Sequence, residues 1–244
     1  MKQTLILFCI LLAACASDDA ANTLIDNSLE RYIDSQTIET GAVIACSANS
    51  SQIANAVEVY FYPEVGSENF KLFQTTSAEV NPNDFTNYTE VDLADEPFFN
   101  GTLRKFVDSF VSERWVIVTF ELANEIKISN PIRLKQFEQS TLFSNEIMVN
   151  QNVSQMPVFS WNIASEENNA IFFQVLSTTN NDLISGTYTF ENQFQYYNTS
   201  NVVLNITEGT PPILSQGQTF NFTVMDVSED NWVNQVLTTQ FTVE

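Results

Sequence analysis

Trp115-Val116-Ile117-Val118-Thr119-Phe120-Glu121-Leu122 is the stretch whose reading decides the fold. It is β-branched and aromatic, holds no Gly or Pro, and alternates too weakly for a strand with one wet face. It therefore reads as a central strand covered on both faces or nearly so. Downstream, Asn124-Glu125 reads as a turn into Ile126-Lys127-Ile128, and Ile132-Arg133-Leu134-Lys135 closes the set. Upstream, Ala42 to Cys46 is an apolar strand-like run, and Val57 to Tyr62 alternates and stops at Pro63. Phe70 to Phe73 and Tyr88 to Leu93 are strand-like on either side of the turn Asn81-Pro82-Asn83-Asp84. Leu103 to Phe110 stays ambiguous, because Leu103, Phe106, Val107 and Phe110 have helical spacing. So many short segments predict an antiparallel sandwich over residues 41–136.

Residues 137–152 are polar and rich in Asn and Gln, and read as a linker. A second all-β unit follows over 153–244. Its strands are Pro157 to Trp161, the continuously apolar Ala170 to Ser177 (AIFFQVLS), Thr187 to Phe190, Asn201 to Ile206, Phe220 to Val224, and Leu237 to Val243. Trp161, that apolar strand and the series Leu214-x-x-Gly217-x-x-Phe220-x-Phe222-x-Val224 resemble a fibronectin type III domain. The resemblance implies a Greek-key sandwich, and the first unit is similar to it in rhythm only, as an immunoglobulin-like domain. The family usually has Tyr where this chain has Phe220. A phenyl ring cannot make the hydroxyl-to-backbone bond, so packing is expected to hold that corner.

The N-terminal segment speaks of location. Met1-Lys2, an apolar run from Leu5 to Ala14 and small residues before Cys15 make an export signal over residues 1–14, too short for the ~20 residues that span a bilayer. Leu12-Ala13-Ala14-Cys15 resembles the lipobox of bacterial lipoproteins. That resemblance implies cleavage before Cys15 and palmitate-type acyl chains on it, and two or more chains anchor stably where one does not. Ser17-Asp18-Asp19 is similar to the acidic export tag of Bacteroidetes surface lipoproteins, which implies the outer membrane and its outward face. Residues 15–40 would form a lipidated tether or a short helix. Leu24, Ile25, Leu29, Tyr32 and Ile33 have the spacing for the helix, with Thr23 and Asp26 as a capping pair.

Composition narrows the chemistry. Nine Lys and Arg face thirty Asp and Glu, a net charge of −21, which repels phosphate backbones and excludes a nucleic-acid partner. No cation follows Lys135, so residues 136–244 can form ion pairs only with what precedes them. The chain has no His, which removes imidazole bases, His-dependent triads and imidazole zinc sites. Of three Cys, the resemblance implies that Cys9 leaves with the signal and Cys15 is acylated. Cys46 stays alone as a small buried apolar residue, so no disulfide framework is expected.

Two groups stand out as candidate ligand sites. Asp226, Glu229 and Asp230 crowd oxygens beside Trp232, as a Ca²⁺ loop would, though without EF-hand spacing. Tyr196, Tyr197 and Trp232 lie in loop-like stretches and could present a stacking platform for sugar rings. The adjacent carboxylates Asp95-Glu96 and Glu166-Glu167 lack the separation across a cleft that glycosidase acids need. Together these features lead to the expectation of a non-enzymatic, cofactor-free surface lipoprotein made of two β-sandwiches. It would be a binding or structural module for an unidentified protein or glycan. The alternative expectation is a polysaccharide-binding accessory of a glycan-uptake system.

Overall fold

A computed structural model describes residues 27–164 and 168–244. The export signal, Cys15, Ser17-Asp18-Asp19, Leu24, Ile25, the Thr23–Asp26 pair and Glu166-Glu167 lie outside the described residues. A one-turn helix α1 (Leu29–Ile33) precedes β1 (Ile38–Val43), β2 (Ala45–Asn49), β3 (Val57–Phe61), β4 (Glu68–Gln74) and β5 (Thr89–Val91). Then come β6 (Glu96–Phe98), β7 (Leu103–Asp108), β8 (Trp115–Leu122), β9 (Glu125–Ser129) and β10 (Ile132–Arg133). Next are β11 (Leu142–Ser144), β12 (Ile147–Asn150), β13 (Val158–Trp161), β14 (Ile171–Thr178) and β15 (Leu183–Thr189). The last are β16 (Gln193–Gln195), β17 (Val202–Asn205), β18 (Thr219–Val227) and β19 (Val233–Thr242). The fold is all-β sandwich, as expected.

One strand order is used twice. The first sheet runs β1-β9-β8-β4-β5, with β10 also paired to β8, and the third runs β11-β19-β18-β14-β15-β17. The second sheet is β2-β3-β7-β6 and the fourth β12-β13-β16. In each half a leading strand lies parallel to the last long strand, β1 on β9 and β11 on β19. The chain then crosses to the opposite sheet and pairs antiparallel, β2 with β3 and β12 with β13.

Three apolar layers separate the four sheets. Val59, Phe61, Leu72, Phe106, Val118 and Phe120 fill the space between the first and second sheets. Phe159, Trp161, Phe172, Phe194, Phe222 and Leu237 do so between the third and fourth. The layer between the second and third sheets joins the halves: Ala48 and Leu103 meet Phe173, Val175, Tyr188 and Met225. The outer face of the first sheet is covered too, with Leu29 and Tyr88 over Phe73, Ile117 and Ile128. β8 and β14 are mostly apolar for this reason: each has a packed layer on both faces.

That geometry resolves Leu103 to Phe110. The segment is a strand as far as Asp108, and residues three apart on a strand point to opposite faces. Leu103 accordingly enters the layer between the halves while Phe106 enters the first sandwich.

Two expected boundaries are corrected. The linker 137–152 contains β11 and β12, strands of the third and fourth sheets, and Ile147 and Val149 pack against the second core. Their alternation was present in the sequence, masked by flanking Asn and Gln. The segment 15–40, expected as a tether or a short helix, holds a short helix at Leu29–Ile33 and is structured from Ser28 onward. Ser28 caps α1, Leu29 is buried, and β1 begins at Ile38 rather than at Gly41. Burial of Leu29 under Tyr88 fixes this helix, since a single turn has little stability of its own.

Two local devices hold the register. Ala123 and Asn124 both have positive φ (53° and 66°), the two-residue hairpin turn that matches strand twist. In β15, a Cβ on Gly186 would stand 2.6 Å from Ile206 Cγ1 and 3.5 Å from Phe173, so only glycine lets Ile206 close over the strand.

Candidate functional site

The acidic turn after β18 is a clasp between the halves. Trp232 is fully buried in the core of the first sandwich, and its indole N–H donates to the Gln139 carbonyl at 2.7 Å. The turn is closed by Ser228, whose hydroxyl donates to Asp230 Oδ1 at 2.6 Å and accepts from Trp232 N at 3.1 Å. Its backbone then docks: Ser47 N donates to Asn231 O at 3.0 Å and Arg133 N to Asp230 O at 2.9 Å. Lys135 Nζ lies 2.6 Å from Asp230 Oδ2, an ion pair linking the last cation to the cation-free half.

Two of the three carboxylates expected to hold Ca²⁺ are engaged within the protein. Asp226 is buried and accepts from Asn169 Nδ2 at 2.6 Å, and burial pushes its carboxyl above the usual range. Asp230 is committed to Lys135 and Ser228, and Glu229 points to solvent. Among the described residues no group of three or more His, Cys, Asp or Glu is placed to hold a metal ion.

The three-ring platform is corrected as well. Trp232 is in the first core and Tyr196 is fully buried in the second. The Tyr196 hydroxyl donates to the Pro212 carbonyl at 2.5 Å, and burial moves it up to about 12. This bond ties down the connection leading to β18, the task Phe220 cannot perform, while Phe220 packs on Phe241 with ring centroids 6.1 Å apart. Tyr197 alone of the three is exposed, at 42%.

Tyr197 lines a pocket of about 190 Å³ with Ser185, Thr187, Thr199, Asn205 and Thr210. Its backbone has φ 72°, a left-handed conformation that bulky residues seldom adopt. Sequence reading found the ring but not the pocket, because β15 and the 205–211 connection supply its other walls.

A larger open cleft, about 660 Å³, lies where the halves meet and is lined by Tyr62, Glu64, Phe70, Arg104, Ile184 and Glu208 among others. Burial, then Glu208 and Glu64, raise the Tyr62 hydroxyl. Arg104 lies over the Phe70 ring at 5.2 Å and is paired with Asp95, so one carboxylate of the Asp95-Glu96 pair is engaged in an ion pair. Asn100 Nδ2 reaches Asn180 O at 3.1 Å and Asp182 Oδ1 at 2.7 Å, a second tie between the halves.

Beside the layer that joins the halves, Glu58 is buried and accepts hydrogen bonds from Tyr60, Lys105 (3.0 Å) and Ser50 (2.9 Å). Burial acts to raise its carboxyl, but these donors outweigh it and hold the group below its usual range. Cys46 is half-buried in the same layer, and desolvation pushes its thiol up to about 12, where the nucleophilic thiolate is scarce.

No family model matches the chain, and no curated protein matches it. Among solved structures it is similar to a glycoside hydrolase domain, Endo-D, of Streptococcus pneumoniae R6, at 10% identity and TM-score 0.34 over 82% of this chain and 33% of that one. The chain therefore spans about a third of that structure's length. It is also similar to the chicken interferon gamma receptor alpha chain, at 9% identity and TM-score 0.25 over 82% and 96% of the two chains. A third similar structure is a β-glucuronidase from Ruminococcus gnavus, at 9% identity and TM-score 0.27, covering 78% and 36%. Likenesses this slight carry no argument about function.

Proposed function

We propose that the chain is a lipid-anchored, non-catalytic module of a bacterial outer membrane, displayed on the cell surface. In this reading two tandem immunoglobulin-like sandwiches, the second of fibronectin type III type, bind or brace an envelope partner. The observation that carries it is Leu12-Ala13-Ala14-Cys15 at the end of an apolar run, a pattern with a specific chemistry behind it. The repeated strand order supports the tandem reading. The apolar layer and Trp232 clasp between the halves suit a module that must hold a partner at a set distance from its anchor. Intact-mass analysis of protein from the native host tests the anchor. The expected species lacks residues 1–14 and carries acyl mass on Cys15, and Cys15→Ala moves the protein out of the membrane fraction. A native species that retains residues 1–14, or one starting at Ser17 without acyl mass, would sink the proposal.

The alternative reading, glycan capture, loses its three-ring platform. One of its residues, Tyr197, keeps a surface position in a pocket, and that observation alone keeps the reading in play.

A further inference from the structure

We infer that the Tyr197 pocket is a subsite for one ring of a neutral, polyhydroxylated ligand, that is, an uncharged saccharide. The inference rests on the glycan reading for its ligand class and is independent of the lipid anchor. Three features of the pocket lead to it.

The ring is held ready. Tyr197 sits edge-on to Tyr196 with centroids 5.8 Å apart at 62°, and Tyr196 is itself pinned through its hydroxyl to Pro212. The left-handed backbone at Tyr197 is an outlier of the kind that clusters at binding sites. Glycine would take this conformation at no steric penalty.

The lining is free of charge. In a chain of net charge −21, no residue lining this pocket is acidic or basic; besides Tyr197 and the buried Phe194, it is made of hydroxyls, amides, Gly and Pro. A cationic ligand would be served better by the acidic surface elsewhere, and an anion would be repelled by it.

Hydrogen-bonding capacity is left over. Thr187 and Thr207 are engaged with Gln174 and Gly186 and form a fixed wall. By contrast, among the described residues the hydroxyls of Tyr197, Thr199 and Thr210 have no partner, and Asn205 uses only its carbonyl oxygen, toward Thr207 N. One apolar ring face beside several unpaired donors and acceptors matches a sugar, whose C–H face and hydroxyls lie at right angles.

The test titrates the full-length mature protein by calorimetry with neutral hexasaccharides of β-1,4-glucose, α-1,4-glucose, β-1,4-xylose and β-1,4-mannose, and with polygalacturonate as the charged comparison. At least one neutral chain should bind, and Tyr197→Gly should weaken it about tenfold or more. Tyr197→Gly should leave Tm unchanged or higher, since glycine is at home at that φ. Tyr197→Asn, also tolerant of it, serves as the second variant. Binding of none of the neutral chains, binding of polygalacturonate alone, or full affinity in either folded variant overturns the inference. Each of those results leaves the acyl mass on Cys15 unaffected, so failure here is separable from failure of the anchor.

Discussion

The first half carries every described cation, and six of its carboxylates are drawn into pairs: Lys71–Glu90, Arg104–Asp95, Lys105–Glu58, Lys127 with Glu39 and Glu125, and Arg133–Glu113. The second half uses the same strand order without a cation of its own. Apart from Asp226, its buried polar groups are amides and hydroxyls instead: Gln174 Nε2 donates to Thr189 Oγ1 at 2.7 Å, and Thr187 Oγ1 donates to Gln174 Oε1 at 3.2 Å. The apolar layers are alike in kind and the polar groups are not. Strand order is therefore set by which faces must be buried, and several polar solutions fit the same burial.

The strongest way to break the comparison is at the clasp, where a residue of the second half completes the core of the first. Trp232→Ala should lower stability by about 3–5 kcal/mol, measured by denaturant unfolding. It should also split one unfolding transition into two, because the first core loses its largest guest and the halves lose a tie. A single transition with an unchanged midpoint would show that the indole adds nothing to either half.

A smaller effect is expected inside the second half. Gly186→Ala places a methyl against Ile206, and overpacking of this kind costs about 1–3 kcal/mol. Adding Ile206→Val to the same chain should recover part of the loss. A double variant no better than the single one would show that the clash is relieved elsewhere.

The smallest of the three sharpens the electrostatic contrast. The folded-state carboxyl of Glu58 lies below its usual range, so its contribution is present above the unfolded value of roughly 4.3 and lost as pH falls through the folded one. Glu58→Gln should cost about 1–2 kcal/mol at neutral pH, and the difference from wild type should shrink toward zero below roughly pH 4. A gap of constant size from pH 7 to pH 3 would mean that the charge of Glu58 is not what its partners recognise.

Legibility followed the number of buried faces. β8 and β14, buried on both, stood out as apolar runs, and β3 was read to within a residue; β18 was found from its alternation, but it runs three residues past Val224. Leu103 to Phe110 misled because a strand feeding two different layers places apolar residues at i and i+3, mimicking a helix. β11 and β12 were missed because each is a short edge strand, only partly buried and flanked by Asn and Gln that hide its apolar residues. For the site, single-residue chemistry pointed to Trp232, Tyr196 and Tyr197 as aromatics beside polar loops. Nothing local separates a ring that caps a neighbouring core from one that faces water.

The sequence by itself determined the all-β class, the absence of imidazole chemistry and the one-sided distribution of cations, since these depend on residue type and periodicity. The tertiary structure decided that Trp232 belongs to the other half's core, that Asp230 answers Lys135, and that Tyr197 alone of three candidate rings lines a pocket. Those outcomes turn on contacts between residues up to a hundred positions apart, and a partner across an interface leaves no mark on the periodicity of either strand.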